Sequence, residues 1–170
     1  MTKVIEKARK FAIYHHGAVD QRRKYTNEPY IVHPAAVAKL VTFAGGTPNM
    51  IAGAWLHDTV EDTNATIEEI YSEFGKTIGV YVAGLTDVAV PENGNRAARM
   101  MINNDHTSKQ CFAVKTIKLA DCYSNVSDIM RQDKKFAITY MQEKRDLLPY
   151  LKEGNKVLFK MLSDLLKTDV

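Results

Sequence analysis

The sequence predicts an all-α fold, a helical bundle, and three observations predict it. Apolar residues recur at three- and four-residue spacing through most of the chain, the period of an amphipathic helix. Helix-starting and helix-stopping residues punctuate those stretches at ordinary helix lengths. No two neighbouring segments alternate polar and apolar residues with period two. The apolar run 80–85, strand-like in isolation, therefore has nothing to pair with and reads as helix.

Taken in order, Val4, Ala8, Phe11 and Ala12 share one face of a first helix that Gly17 should end. Residues 20–34 are rich in Arg, Tyr, Thr, Asn and Pro and read as an irregular loop or ribbon, with Asn27 suited to a left-handed turn position. Pro34 suits the first turn of a second helix, carried on by Ala35, Val37, Ala38, Leu40 and Val41 to Gly45 and Gly46. A third helix, 50–60, is apolar nearly all round and should be central. Thr66-Ile67-Glu68-Glu69 is a capping-box pattern for a fourth, which Gly75 should stop. Further helices are expected at 76–89, 95–104, 109–130, 136–150 and 155–166, joined by short connections.

At 170 residues, 45% hydrophobic and 25% charged, the chain fits one globular domain spanning 1–170. No stretch approaches the ~18–20 apolar residues of a membrane span, and the N-terminus carries charges where a signal peptide is apolar. Cys111 and Cys122 form neither a disulfide framework nor a Cys-x-x-Cys pair. A cytoplasmic protein with reduced thiols is expected. The net charge of +3 is too weak to argue for a nucleic-acid partner. Two basic groups, Arg22-Arg23-Lys24 and Arg96 with Arg99, can face either solvent or a phosphorylated small molecule.

The most informative segment is His57-Asp58-Thr59-Val60-Glu61-Asp62, which follows the apolar third helix. On a continuous helix His57 stacks with Glu61 and Asp58 with Asp62, all within an arc of roughly 140° at ~100° per residue. Burying such a set without partners costs several kcal/mol, because each carboxylate loses its hydration. A divalent cation removes that cost, and imidazole with carboxylate suits Mn²⁺, Fe²⁺, Co²⁺ or Zn²⁺. The competing reading, a helix end decorated with solvated acids, is not excluded by spacing alone. Two other segments weigh against it: His33 at the start of the second helix, and Asp121 in an apolar helix, where an unpaired charge is expensive.

With those segments in view the chain resembles the HD superfamily of metal-dependent phosphohydrolases, and within it the hydrolase domain of RelA/SpoT-type proteins and the small alarmone hydrolases. The resemblance rests on RKYTNEPYIVHP (23–34), LHDTVEDT (56–63), TIEEIYSEFG (66–75), GLTDV (84–88) and IKLADCYSN (117–125), in that order. It implies His33, His57, Asp58 and Asp121 as ligands of one divalent ion, usually Mn²⁺, and Glu61 and Asp62 as the acidic pair that positions and deprotonates water. The implied reaction removes the 3′-pyrophosphate of guanosine tetra- or pentaphosphate. The resemblance further implies Arg23, Lys24, Asn125, Tyr140 and Arg96 as contacts to this nucleotide.

The chain departs from the family pattern at Cys122, where many relatives have Arg, and at Ser124, where His or Tyr is frequent. Both positions are expected beside the nucleotide, so another nucleotide (an adenosine alarmone or NADPH) stays open, as does a binding module without turnover. His15 and His16 read as packing or supporting residues, and His106 as a surface histidine. The length leaves no room for a synthetase domain, so hydrolysis alone is expected. The apolar C-terminal helix is free to pack on the domain or on a second copy of the chain.

Overall fold

The computed structural model describes residues 2–168. Nine α-helices follow one another among these: α1 (Lys3–Ala18), α2 (Val32–Phe43), α3 (Pro48–Leu56), α4 (Thr59–Asp62) and α5 (Ile67–Leu85), then α6 (Arg96–Ser108), α7 (Phe112–Gln132), α8 (Lys134–Leu147) and α9 (Lys156–Leu165). Short 3₁₀ turns lie at Pro91–Asn93 and Leu148–Leu151. The only extended pairing among the described residues is a single antiparallel bridge between Arg22 and Pro29. The all-α expectation holds. No helix of the described residues is long and apolar enough to cross a membrane.

Helix α3 is central, as its uniform hydrophobicity predicts. Its Ala54 belongs to the larger core with Val37, Val41, Ile117, Leu119, Leu158 and Leu162. Its Ala52 and Leu56 belong to a second core with Ala8, Ile70, Ile78 and Val82. Gly53 permits the close approach of α3 to α7, since a Cβ there would lie 3.2 Å from Ile117 Cδ1. Each fully buried Leu or Ile contributes about 1.5–3 kcal/mol relative to exposure. The two cores together hold the ends of α2 and α3 and the middle of α7 in fixed relation.

Several boundaries differ from the sequence expectations, each for a local reason. The helix expected at 50–60 is two pieces, because the chain turns at His57 and Asp58, with Asp58 at φ −101° and ψ −2°. Thr59 fixes that turn: its buried hydroxyl donates to the Leu56 carbonyl at 2.7 Å. The capping box forms as expected, Thr66 accepting from the Glu69 amide and Glu69 from the Thr66 amide. Gly75 breaks the helix as expected, leaving the helical conformation at φ +78° and ψ 174°, so α5 is two helical segments joined across this kink, the second of which stops at Leu85. The helix expected at 136–150 begins at Lys134, where Asp133 accepts from the Phe136 amide, and closes in the 3₁₀ turn. Helix α6 runs on to Ser108 and α7 starts only at Phe112.

The 20–31 segment is a ribbon tied by Arg23 N–H to the Glu28 carbonyl (2.9 Å) and Tyr30 N–H to the Gln21 carbonyl (2.9 Å). Asn27 takes the left-handed conformation expected of it, at φ 56°. Helix α9 packs on its own domain: Leu158 and Leu162 are fully buried, and Arg145 clamps the Leu166 carbonyl at 2.6 and 2.9 Å.

Candidate metal centre

Three elements converge on one point. His33 is the second residue of α2, His57 and Asp58 form the turn after α3, and Asp121 lies in the middle of α7. His33, His57 and Asp121 are buried. Ligand atoms of His33, His57 and Asp58 all lie within 4.8 Å of one another. His57 Nε2 is 2.9 Å from Asp58 Oδ2 and 3.8 Å from Asp121 Oδ1. His33 Nε2 is 3.2 Å from Asp121 Oδ1 and 3.6 Å from Asp58 Oδ2. The four residues singled out by sequence therefore meet.

The chemistry of this donor set fits a cation. His57 Nδ1 lies 2.9 Å from the Ala54 carbonyl, which only an N–H can satisfy, so in the neutral ring Nε2 bears a lone pair. That lone pair faces His33 Nε2 at 3.3 Å, with two carboxylates beside them. Without a positive charge between these atoms the cluster is repulsive. The electrostatics say the same. Burial disfavours charge on His57, but Asp58 and Asp121 outweigh it and raise its pKa well above the ordinary value. Burial likewise pushes the Asp58 carboxyl up, yet His57 brings it down to about 2. Asp121 is lowered well below its usual range, chiefly by Lys118 against the cost of burial. The pocket demands a cation, and a divalent metal satisfies imidazole and carboxylate together.

Side chains around the cluster hold it in place. Tyr30 donates its hydroxyl to Asp58 Oδ2 at 2.6 Å, and burial together with Asp58 keeps that phenol protonated as a donor. Ser124 Oγ lies 3.2 Å from His33 Nδ1. Such outer partners orient metal ligands and typically change affinity 10–100-fold. Tyr30→Phe is accordingly expected to weaken divalent-metal binding about tenfold with the helical spectrum unchanged. Titration of the stripped protein with Mn²⁺ measures this, and an affinity equal to the parent's would remove Tyr30 from the site.

The acidic pair does not stack on His57 and Asp58 as a continuous helix requires. After the turn, Glu61 and Asp62 diverge. Glu61 accepts from the Asp87 amide at the end of α5. Asp62 accepts from Gln21 Nε2 at 2.9 Å, and Gln21 Oε1 in turn meets His16 Nδ1 at 2.6 Å. His16 is thus a buried supporting residue, as expected, and its Nε2 has no hydrogen-bond partner among the described residues. Glu61 stays open to solvent at the mouth, yet its partial desolvation and the nearby Asp87 and Asp58 push its carboxyl up to about 7.

Of the residues expected at the nucleotide, Asn125 shares the Asp121 face, donating to Asp121 Oδ1 at 2.7 Å and accepting from Arg23. Arg23 also pairs with Asp128 at 2.7 Å. Lys24 sits over the Tyr25 and Phe136 rings. Arg23, Lys24 and Asn125, with Tyr30 and Phe136, line a cavity of about 230 Å³. Tyr140 is partly buried beside Phe136, and burial and the field of Asp121 raise its pKa well above the ordinary value. Arg96 is turned to Glu143, which it grips through two contacts of 2.6 and 2.8 Å.

Of the two departures from the family pattern, Cys122 lies elsewhere than expected, whereas Ser124 lines a pocket together with Arg23. Cys122 is buried in the larger core, its thiol raised by burial, and Ser124 supports His33. His106 is half-buried against Gln110. Tyr30 and Lys118 went unnoticed in the sequence. Tyr30 lies three residues before His33, and Lys118 one helical turn before Asp121, which is the only signal either gives.

Comparison with known proteins agrees with the geometry. The HD domain family matches residues 8–147. The chain is 37% identical over 131 residues to the guanosine-3′,5′-bis(diphosphate) 3′-pyrophosphohydrolase MESH1 of Xenopus tropicalis, covering 75% of this chain and 70% of that protein. It is 35% identical over 133 residues to the Aquifex aeolicus guanosine-3′,5′-bis(diphosphate) 3′-pyrophosphohydrolase, covering 77% of this chain but 19% of that longer protein. Its fold matches a solved metazoan SpoT ortholog, described as hydrolysing ppGpp, with a TM-score of 0.87 at 23% identity over 98% of this chain and 96% of the other. The chain belongs to the HD-domain family, among the relatives of MESH1.

Proposed function

We propose that the protein is a manganese-dependent guanosine-3′,5′-bis(diphosphate) 3′-pyrophosphohydrolase acting in the cytoplasm, with His33, His57, Asp58 and Asp121 as the metal ligands. The observation that carries this reading is the convergence of two imidazole nitrogens and two carboxylates at one buried point, between an acidic pair and a basic wall. Names carried by relatives such as MESH1 support the substrate. When bound, the divalent ion supplies Lewis acidity, polarising a phosphoryl oxygen and lowering the pKa of the attacking water.

The chain's own residues supply the rest. Glu61 takes the proton of the attacking water, and Asp62, held by Gln21, orients that water. The water oxygen bonds to the phosphorus attached at the ribose 3′ position, and the bond from that phosphorus to the 3′ oxygen breaks. The 3′ oxygen takes up a proton from solvent water to become the hydroxyl of the product, while Glu61 gives its own back to solvent. GDP or GTP and pyrophosphate leave. Arg23, Lys24, Asn125 and Tyr140 bind the nucleotide; a guanidinium can fork onto phosphate or lie on a base. Arg96 reaches the distal phosphates only by exchanging its Glu143 partner for them.

A panel assay tests the reading. Manganese-loaded protein is given guanosine and adenosine alarmones and NADPH, and pyrophosphate and phosphate are measured separately. Pyrophosphate from the guanosine alarmones, faster than any release from the others, is expected; phosphate from NADPH alone would overturn it. The case for another substrate rests on Cys122 and Ser124: Cys122 is buried in the larger core, whereas Ser124 lines a pocket with Arg23 and His33, which is why the panel includes the other nucleotides.

The pH dependence follows from Glu61. Its carboxyl is raised to about 7, and a proton acceptor must be ionised, so kcat falls as pH drops through the Glu61 pKa. A nearby dication lowers that pKa, which puts the acidic limb of the manganese enzyme at or below pH ~7. A pH–rate profile checks this, and a limb midpoint above pH ~8 would exclude Glu61 as the acceptor.

A further inference from the structure

The basic residues expected at the nucleotide are already engaged within the protein: Arg23 by Asp128, Arg96 by Glu143, Lys24 by two aromatic rings. Lys118 is different. It lies on α7 one turn before Asp121, its side chain 20% exposed, with Nζ 3.4 Å from Asp121 Oδ2. Among the described residues that is its one ion pair, and it makes no hydrogen bond of good geometry. An ammonium has three N–H donors, and a largely desolvated one needs acceptors for them. Asp121 and, less strongly, Asp87 and Glu61 favour its charged form against the cost of burial.

The row Lys118–Asp121–Asn125 occupies one face of α7 at spacings of three and four, with Asp121 in the middle. Asn125, with Arg23, flanks the nucleotide side. Lys118 flanks the opposite side. We propose that Lys118 binds a non-bridging oxygen of the pyrophosphate group, giving the reacting end of the substrate a cation of its own beside the metal. An anionic oxygen meets the free donors in a charge-assisted hydrogen bond. The inference rests on the phosphohydrolase reading and deepens it, since it divides the site into a nucleoside half and a pyrophosphate half on either side of Asp121. The rival role for Lys118 is merely to neutralise Asp121.

The test uses inorganic pyrophosphate as the probe. Its affinity for the manganese-loaded protein is measured by calorimetry for the parent, Lys118→Met, Lys118→Gln and Lys118→Arg, with manganese content determined for each. The two uncharged variants avoid reliance on a single substitution in a half-buried position. The expected result is parent-like manganese content, pyrophosphate affinity lowered about tenfold or more in Met and Gln, and most of it restored in Arg. Unchanged pyrophosphate affinity in the uncharged variants would overturn the proposal. So would loss of manganese, which is the signature of the neutralising role. Lys118-dependent pyrophosphate binding in a parent that does not cleave the guanosine alarmone would support Lys118 and overturn the substrate reading instead.

Discussion

Asp58→Ala is expected to abolish stable manganese binding, and turnover with it. Asp58 Oδ2 is the atom that sits closest to His57 Nε2, at 2.9 Å, and it also lies 3.6 Å from His33 Nε2. Its carboxyl is held ionised and is gripped by Tyr30. Alanine removes one of the two carboxylates that would balance the charge of a bound ion and strands the Tyr30 hydroxyl. Loss of an outer partner costs roughly 10–100-fold in metal affinity, and loss of a direct ligand costs more. Metal analysis after desalting reads the effect. Manganese retained at the parent's stoichiometry would remove Asp58 from the ligand set.

Glu61→Gln should give the opposite pattern: full manganese content with kcat lowered by about 10²–10⁴, the usual contribution of a positioned acid or base. Glutamine can still accept from the Asp87 amide as Glu61 does, so the local fold has no reason to change. It cannot take a proton. Glu61 also lies apart from the imidazole pair, turned to the end of α5, so its loss leaves the four proposed ligands untouched. Metal content and turnover measured on the same sample separate the two roles. A variant with parent-like kcat, or one that loses its manganese, would contradict the assignment.

The contrast between these two variants depends on a feature that sequence pattern does not reveal. A continuous helix through 50–60 aligns Glu61 with His57 and puts all four polar side chains on one arc. The observed turn at Asp58, fixed by the Thr59 hydroxyl, instead sends His57 and Asp58 inward and lets Glu61 and Asp62 flank the cluster separately. Helical periodicity identified the helices and the central role of α3, because burial follows from apolar pattern. It also marked Asp121 as a charge too expensive to bury unpaired, while His33 stood out by its place at the start of a helix and by the family resemblance. What it missed are contacts between residues far apart in sequence. Arg96 read as a free basic residue until its Glu143 partner, 47 residues on, was seen. Ser124 lines a pocket with Arg23, but its contact with His33, 91 residues away in sequence, is not legible in the pattern. Lys118 looked like one more helix lysine because nothing local shows that it faces Asp121 and the acids beyond.

The central claim is a metal-dependent cleavage at the 3′-pyrophosphate, and one measurement tests it most directly. Chelator-stripped protein is mixed with guanosine tetraphosphate, manganese is added back, and nucleotide and phosphate products are followed by phosphorus magnetic resonance. The account predicts no turnover before manganese, then GDP and pyrophosphate in equal amounts. Turnover without metal, or orthophosphate as the first product, would contradict it.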